Sequence, residues 1–240
     1  MKKFYIAIFL FFPVLLSAQT LEGSWKLTQR NGSPVQDTQA VRIYQDGYFS
    51  EAAKNTTNNE FLWAKGGEFQ TGDYRELIDF DTREPALVGD TLDSKLSFVT
   101  ADQIRINHGA EEEVWQRLSS SANDLSGNWV ITGRQRNGEM NTMTPGDRRT
   151  IKILGGERFQ WVAFNSATGE FFGSGAGTYT AKNGKYEEMI DTFSRDKNRV
   201  GDRLEFHYEV KDGQWHHSGK SSKGEDMYEI WSPYAEAYAK

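Results

Sequence analysis

The chain has 240 residues, 28 Lys plus Arg against 34 Asp plus Glu for a formal net charge of −6, and no cysteine. Those numbers exclude disulfide staples, thiolate zinc and iron–sulfur sites and a cysteine nucleophile, and they argue against a general affinity for nucleic acid, which needs a basic footprint. Seven Trp, ten Tyr and 15 Phe are material for a real core, not for a disordered chain.

The first predicted element is an address. Lys2 and Lys3 precede an apolar run from Phe4 to Leu16, broken only by Pro13, and Ser17, Ala18 and Gln19 come next. A short greasy stretch ending in small residues predicts a secretory signal peptide over 1–18, cut near Ala18. No Cys comes after it, so a lipid-anchored form is not expected. Nothing later is apolar enough to span a membrane, and with no cysteine the mature chain reads as secreted or periplasmic and bacterial.

The mature chain is a doubled unit. Leu21-Glu22-Gly23-Ser24-Trp25 is echoed by Leu125-Ser126-Gly127-Asn128-Trp129, and Gln29-Arg30-Asn31-Gly32 recurs as Gln135-Arg136-Asn137-Gly138. Val41 to Gln70 aligns without a gap onto Ile151 to Thr180 at a constant offset of 110. Tyr74 to Asp79 then matches Tyr186 to Asp191, and both copies finish alike at Glu113-Val114-Trp115 and Glu229-Ile230-Trp231. The spacing predicts two sister domains, 19–118 and 125–240, joined by the polar linker 119–124; the stretch after Pro233 reads as a tail that adds a single helical turn.

Within each unit the hydrophobic period is two. Leu204, Phe206, Tyr208 and Val210 alternate with charged neighbours, as do Phe159, Trp161 and Ala163 with Gln160 and Val162. Turn pairs such as Asp46-Gly47, Asn183-Gly184 and Asp212-Gly213 punctuate the runs, so the expectation is an all-β fold of antiparallel hairpins. Gly173, Gly175 and Gly177 share one face of a strand, where a barrel coils sharply or lets another group approach the backbone. No Lys-Ser/Thr comes after them, which excludes a phosphate-cradling loop.

The ordered set Leu125, Gly127 and Trp129, then Phe159, then Gly177 and Tyr179, then Tyr186 and Glu188, then Glu229 and Trp231 resembles the lipocalin-like, calycin-type domains of secreted bacterial proteins. The first copy carries the same set at Leu21, Gly23, Trp25, Phe49, Gly67, Phe69, Tyr74, Glu76, Glu113 and Trp115. The resemblance covers nearly all of the mature chain and implies two tandem antiparallel barrels, each closed around its own aromatics. A lipocalin tends to stack a late Arg on the first-strand Trp; Arg117 is placed to do so for Trp25, and Tyr234 is the candidate cover for Trp129.

The residues with chemical potential are aromatic and acidic. Tyr74/Glu76 with Glu113/Trp115, and Tyr186/Glu188 with Glu229/Trp231, each put two side chains on one face. Trp161 and Tyr179 complete a candidate ligand-binding set. Buried carboxylates need partners, and Arg42 and Lys152 are the candidates. Two readings stand: a pocket with a few placed polar groups among aromatic walls, or ion pairs and core aromatics that merely close the barrel. There is no Gly-x-Ser-x-Gly elbow, no His-Glu-x-x-His and no Ser/His/Asp set, so neither an enzyme, a metal nor a cofactor is expected. His216 and His217 would point to opposite faces of a strand, and a solvent-facing imidazole is the expectation for the histidines. Glu111-Glu112-Glu113 and Glu225-Asp226 read as solvated turns. The function implied is a secreted, non-enzymatic protein binding a small apolar or amphipathic molecule inside a barrel. The alternative is an envelope module with filled barrels that contacts another protein or a glycan. The discriminator is an open cavity of about 300 Å³ or more. Copy one has Trp63 where copy two has Gly173, which predicts one occluded and one open interior.

Overall fold

The computed structural model describes residues 19–136, 138–220 and 224–238. The expected signal peptide over 1–18 lies outside them. Nineteen strands form two antiparallel sheets. The first holds β1 (Gly23–Arg30), β2 (Ser33–Pro34), β3 (Thr38–Gln45), β4 (Tyr48–Asn55), β5 (Phe61–Gln70), β6 (Arg75–Asp81), β7 (Thr91–Asp93), β8 (Lys95–Thr100), β9 (Gln103–His108) and β10 (Glu111–Ser119). The second holds β11 (Gly127–Arg136), β12 (Glu139–Thr142), β13 (Arg148–Gly155), β14 (Arg158–Asn165), β15 (Glu170–Lys182), β16 (Lys185–Phe193), β17 (Arg203–Lys211), β18 (Gln214–Lys220) and β19 (Asp226–Pro233). One helical turn, α1 (Tyr234–Ala237), ends the described chain.

Both sheets curl shut. In the second, β11 pairs with β13 on one side and β19 on the other, with Ile131 opposite Trp231. In the first, β10 returns to β1, and the remaining gap is closed by chain continuity. There β7 pairs with β6, β8 pairs with β9, and only Ser94 separates β7 from β8. Ser94 sits at this corner and bonds both ways, its N–H to Tyr74 O at 3.0 Å and its Oγ to His108 Nδ1 at 2.7 Å. With β2 and β12 as side hairpins, each sheet is an up-and-down barrel in a lipocalin-like topology. No strand of one sheet pairs with the other among the described residues.

The repeated Leu-x-Gly-x-Trp has a physical reason. Trp25 Nε1 donates to Leu21 O at 2.9 Å, and Trp129 Nε1 donates to Leu125 O at 2.9 Å, so the incoming chain is tied across one end of each barrel. Arg117 lies 4.0 Å above the Trp25 ring, as expected, and also donates to Glu22 O and Thr20 O. Tyr234 does not cover Trp129. Pro233, opposite Trp129 in the ladder, ends β19, and Tyr234 turns outward to pack on Tyr48 of the first barrel with ring centroids 5.1 Å apart. Trp129 instead meets the edge of Trp215.

The outer faces of the two barrels pack on each other. Ile43, Tyr48, Ala64 and Phe80 from the first and Val130, Ile151, Ile153, Val162 and Phe164 from the second form one buried cluster, with Phe80 and Phe164 centroids 4.9 Å apart. Polar ties flank it: Ser24 Oγ donates to Gly156 O at 2.7 Å and Gln160 Nε2 to Glu51 O at 3.2 Å. Strands β3, β4, β13 and β14 are therefore buried on both faces, one toward their own interior and one toward the sister barrel.

Candidate functional site

The inner faces differ between the barrels, and that difference makes the site. In the first, Arg42 on β3 is fully buried and donates to Glu51 Oε2 at 2.7 Å and Glu76 Oε1 at 2.8 Å. Lys65 Nζ lies 3.1 Å from Glu76 Oε2, and Tyr74 OH donates to Glu76 at 2.7 Å. Burial opposes the charge of Glu76, yet Arg42 and Lys65 outweigh it and hold the carboxyl at about 2. The same balance lowers Glu51, where burial is offset by Arg42, Arg83 and the Trp63 indole. Trp63 fills what remains: its Nε1 donates to Glu51 Oε1 at 2.6 Å, and Arg83 and Arg30 lie over its ring at 4.5 and 5.5 Å. Trp115 Nε1 donates to Glu113, which also accepts from Arg30 at 2.8 Å. Tyr74, Glu76, Glu113 and Trp115 are thus members of a packed ionic and aromatic lattice.

In the second barrel three inward side chains are exchanged. The register places Trp161, Gly173 and Gly175 where the first barrel has Glu51, Trp63 and Lys65. A cavity of about 410 Å³ results, open at one end. Its walls are Trp161, Phe193, Phe206 and Trp231, and its polar groups are Lys152, Glu188, Arg134, Glu229 and His217. Lys152 is bonded to Glu188, which also accepts from Tyr186 OH at 2.6 Å. Arg134 bonds Glu229 at 2.6 Å, and Trp231 Nε1 donates to the other Glu229 oxygen at 3.1 Å. Burial opposes the charge of Glu229, but His217, Arg134 and Lys152 more than offset it, holding this carboxyl also at about 2.

The glycines do both things that a bare face allows. A Cβ on Gly175 would stand 2.5 Å from Trp161 Nε1, so the indole lies against the backbone. A Cβ on Gly177 would stand 2.0 Å from Met189 O, at the bulge where β15 bends against β16. Gly173, at φ +152, sits under the Arg195 guanidinium at the cavity mouth. Arg195 donates through Nε at 3.0 Å, and through Nη2, to Phe172 O.

Of the residues singled out from sequence, Trp161, Glu188, Glu229 and Trp231 line this cavity. Tyr186 lies behind it as the donor to Glu188, and Tyr179 sits at the closed end, hydrogen-bonded to Asn123 at 3.0 Å. Arg42 and Lys152 are partners of the buried carboxylates, as the pattern predicts. Two expectations fail. His217 is not solvent-facing: it is 2% exposed, packed against Phe206, Tyr186 and Trp215, and burial pushes its imidazole down toward the neutral form. Glu113 is not part of a solvated turn: it is buried and points inward on β10, as its pairing with Trp115 on one face predicts. Phe193, Phe206 and Arg195 are legible only through alternation counted back from the turns. Among the described residues no cluster of acidic and histidine side chains is arranged to hold a metal ion, and no helix is long and apolar enough to cross a membrane.

A groove of about 490 Å³ also lies outside the barrels, between the Asp46–Tyr48 turn and the tail at Tyr234 and Tyr238. It is the surface crease left where the tail docks.

No protein-family model matches the chain, and neither does any curated protein. Among solved structures, the chain is similar to a mutant of the vaccine antigen Transferrin Binding Protein B from Haemophilus parasuis Hp5, at 7% identity and a TM-score of 0.22. The likeness takes in 87% of this chain, which spans 64% of the length of that structure.

Proposed function

We propose that this chain is an exported, non-enzymatic binding protein whose second barrel holds a small amphipathic molecule. The observation that carries the reading is the contrast between two interiors of one design. One is filled by Trp63 and its ion pairs, and the other keeps about 410 Å³ of open space lined by aromatics and a few fixed polar groups. That volume and that lining are the usual makeup of a small-molecule site. The first barrel, with its packed interior, supports the alternative reading for its own half: a structural or protein-contacting module that braces the second.

The test is native mass spectrometry of freshly purified protein, and then titration with Nile red, a neutral apolar dye. A bound species, or dye uptake that quenches Trp161 and Trp231, supports the reading. Dye uptake unaffected by Ala163→Phe, which fills the second cavity, sinks it.

A further inference from the structure

The first barrel is a template for the second. In the first, the Trp63 ring lies between Arg83 and Arg30, and its N–H donates to the Glu51 carboxylate, which is held by Arg42. An aromatic ring with a hydrogen-bond donor and a carboxylate thus fill the centre together. In the second barrel the cationic frame persists as Lys152, Arg134 and Arg195 at the positions of Arg42, Arg30 and Arg83. The ladder sets Arg134, not the Arg136 of the repeated Gln-Arg-Asn-Gly, opposite Glu229 as Arg30 is opposite Glu113. Arg83 and Arg195 come directly after Thr82 and Ser194, whose N–H groups bond Ala64 O and Ser174 O. The ring and the carboxylate do not: Gly173 and Trp161 stand in their places.

Charge pairing shows where the exchange is felt. Lys152 is neutralised by Glu188, Arg134 by Glu229 and Arg199 by Asp202. Arg195 alone among these four bonds only a backbone carbonyl, that of Phe172, and it has no carboxylate partner among the described residues. His217 points the same way independently of the sister barrel. Its ring lines the same cavity while 2% exposed, and its Nε2 has no hydrogen-bond partner among the described residues. Its Nδ1 faces Glu229 Oε2 at 3.6 Å, which leaves Nε2 as the nitrogen with nothing opposite it. A buried nitrogen left unsatisfied in this way costs free energy that a ligand polar group recovers.

We infer that the second barrel takes a small aromatic acid carrying a ring hydroxyl or N–H, its ring in the space Trp63 fills in the sister barrel and its anionic group on Arg195. This rests on the reading of the second barrel as a small-molecule site and names the class of molecule. The ring lies among Trp161, Phe193 and Trp231, and the ring donor meets His217 Nε2, which is buried in the free chain, once the imidazole turns toward the guest. A long-chain fatty acid has no flat ring to offer these walls and no donor for His217.

The experiment is isothermal titration of the full chain with indole-3-acetate and with its neutral isostere indole-3-acetamide, beside a Nile red titration. The acid should bind about fivefold more tightly than the amide, the size expected for a charge pair at a partly wet mouth. Arg195→Gln should remove that preference while leaving the amide affinity within about twofold, and Arg195→Lys should keep part of it. Ala163→Phe should block both, with Thr150→Phe as the second blocking variant if the first does not fold. If amide and acid bind alike, or neither binds while Nile red still enters and is blocked, the site stands and the aromatic acid falls. If neither probe nor Nile red enters, the cavity reading falls and takes this inference with it.

Discussion

Trp63 and Gly173 hold the same register position in the two barrels, opposite Ala53 in the first and Ala163 in the second. One carries the largest side chain available and the other carries none. Together with the exchange of Glu51 and Lys65 for Trp161 and Gly175, this difference leaves one interior closed and the other open.

Trp63→Gly should therefore open the first barrel. Loss of a buried aromatic costs about 3–5 kcal/mol, and here Glu51 also loses the indole donor at 2.6 Å. Urea denaturation should show the loss, and Nile red should enter the variant at a second site. Unchanged dye stoichiometry would mean that neighbouring side chains collapse into the space.

Arg42 is the hinge of the first interior, because Glu51 and Glu76 both depend on it. Arg42→Met leaves two buried carboxylates with one cation fewer, and removing one partner of a buried ion pair costs about 3–5 kcal/mol. Arg42→Lys should recover only part, since one ammonium cannot reproduce the forked contact with both acids. A thermal melt of the three proteins checks the order.

Acid should unfold the protein in a defined window. Glu76 and Glu229 sit at about 2 in the fold against an ordinary 4.5, so the unfolded chain binds their protons first. Their contribution is fully present above about pH 4.5 and is lost as pH falls toward 2. Glu76→Gln should lower stability at neutral pH by about 3 kcal/mol and flatten that part of the pH profile. His217 works in the same direction at higher pH. Buried and held neutral, it refuses a proton that the unfolded chain accepts, so stability begins to fall below about 6.5; burial lowers His108 as well, so His217→Phe should shrink that onset and leave the part that His108 supplies.

The joint between the barrels should be energetically real. Phe80 and Phe164 meet at 4.9 Å within a cluster fed by both sheets. Phe164→Ala should cost about 3–5 kcal/mol. If the joint couples the barrels, calorimetry of the variant should resolve two transitions where the parent shows one.

The architecture is legible in the sequence because its signals are local and repeated. Leu-x-Gly-x-Trp works by an indole bonding the carbonyl four residues back, a contact that sequence spacing contains in full. The inward pairing of Tyr186 with Glu188 and of Glu229 with Trp231 comes from a period of two. Other features depend on what lies across the barrel. His217 reads as polar in the run Gln214-Trp215-His216-His217, and only its position between Trp215 and the Glu229 carboxylate shows that it is buried. Tyr234 reads as a cover for Trp129 because nothing in the sequence names the sister barrel as its partner. Ile151-Lys152-Ile153-Leu154 does carry a sign of two-sided burial, since apolar residues there break the alternation.

The back-to-back packing has a mechanical consequence for the open interior. Along β13 and β14 the residues facing the cavity, Lys152 and Trp161, alternate with Ile151, Ile153 and Val162, which are clamped by the neighbouring barrel. That wall is braced like masonry against a buttress. The opposite wall, β17 and β18, has no such backing among the described residues, and β17 joins β16 only from Lys185 to Met189 before the chain diverges toward Arg195 and Arg199. Hydrogen exchange should therefore run faster along β17 and β18 than along β13 and β14.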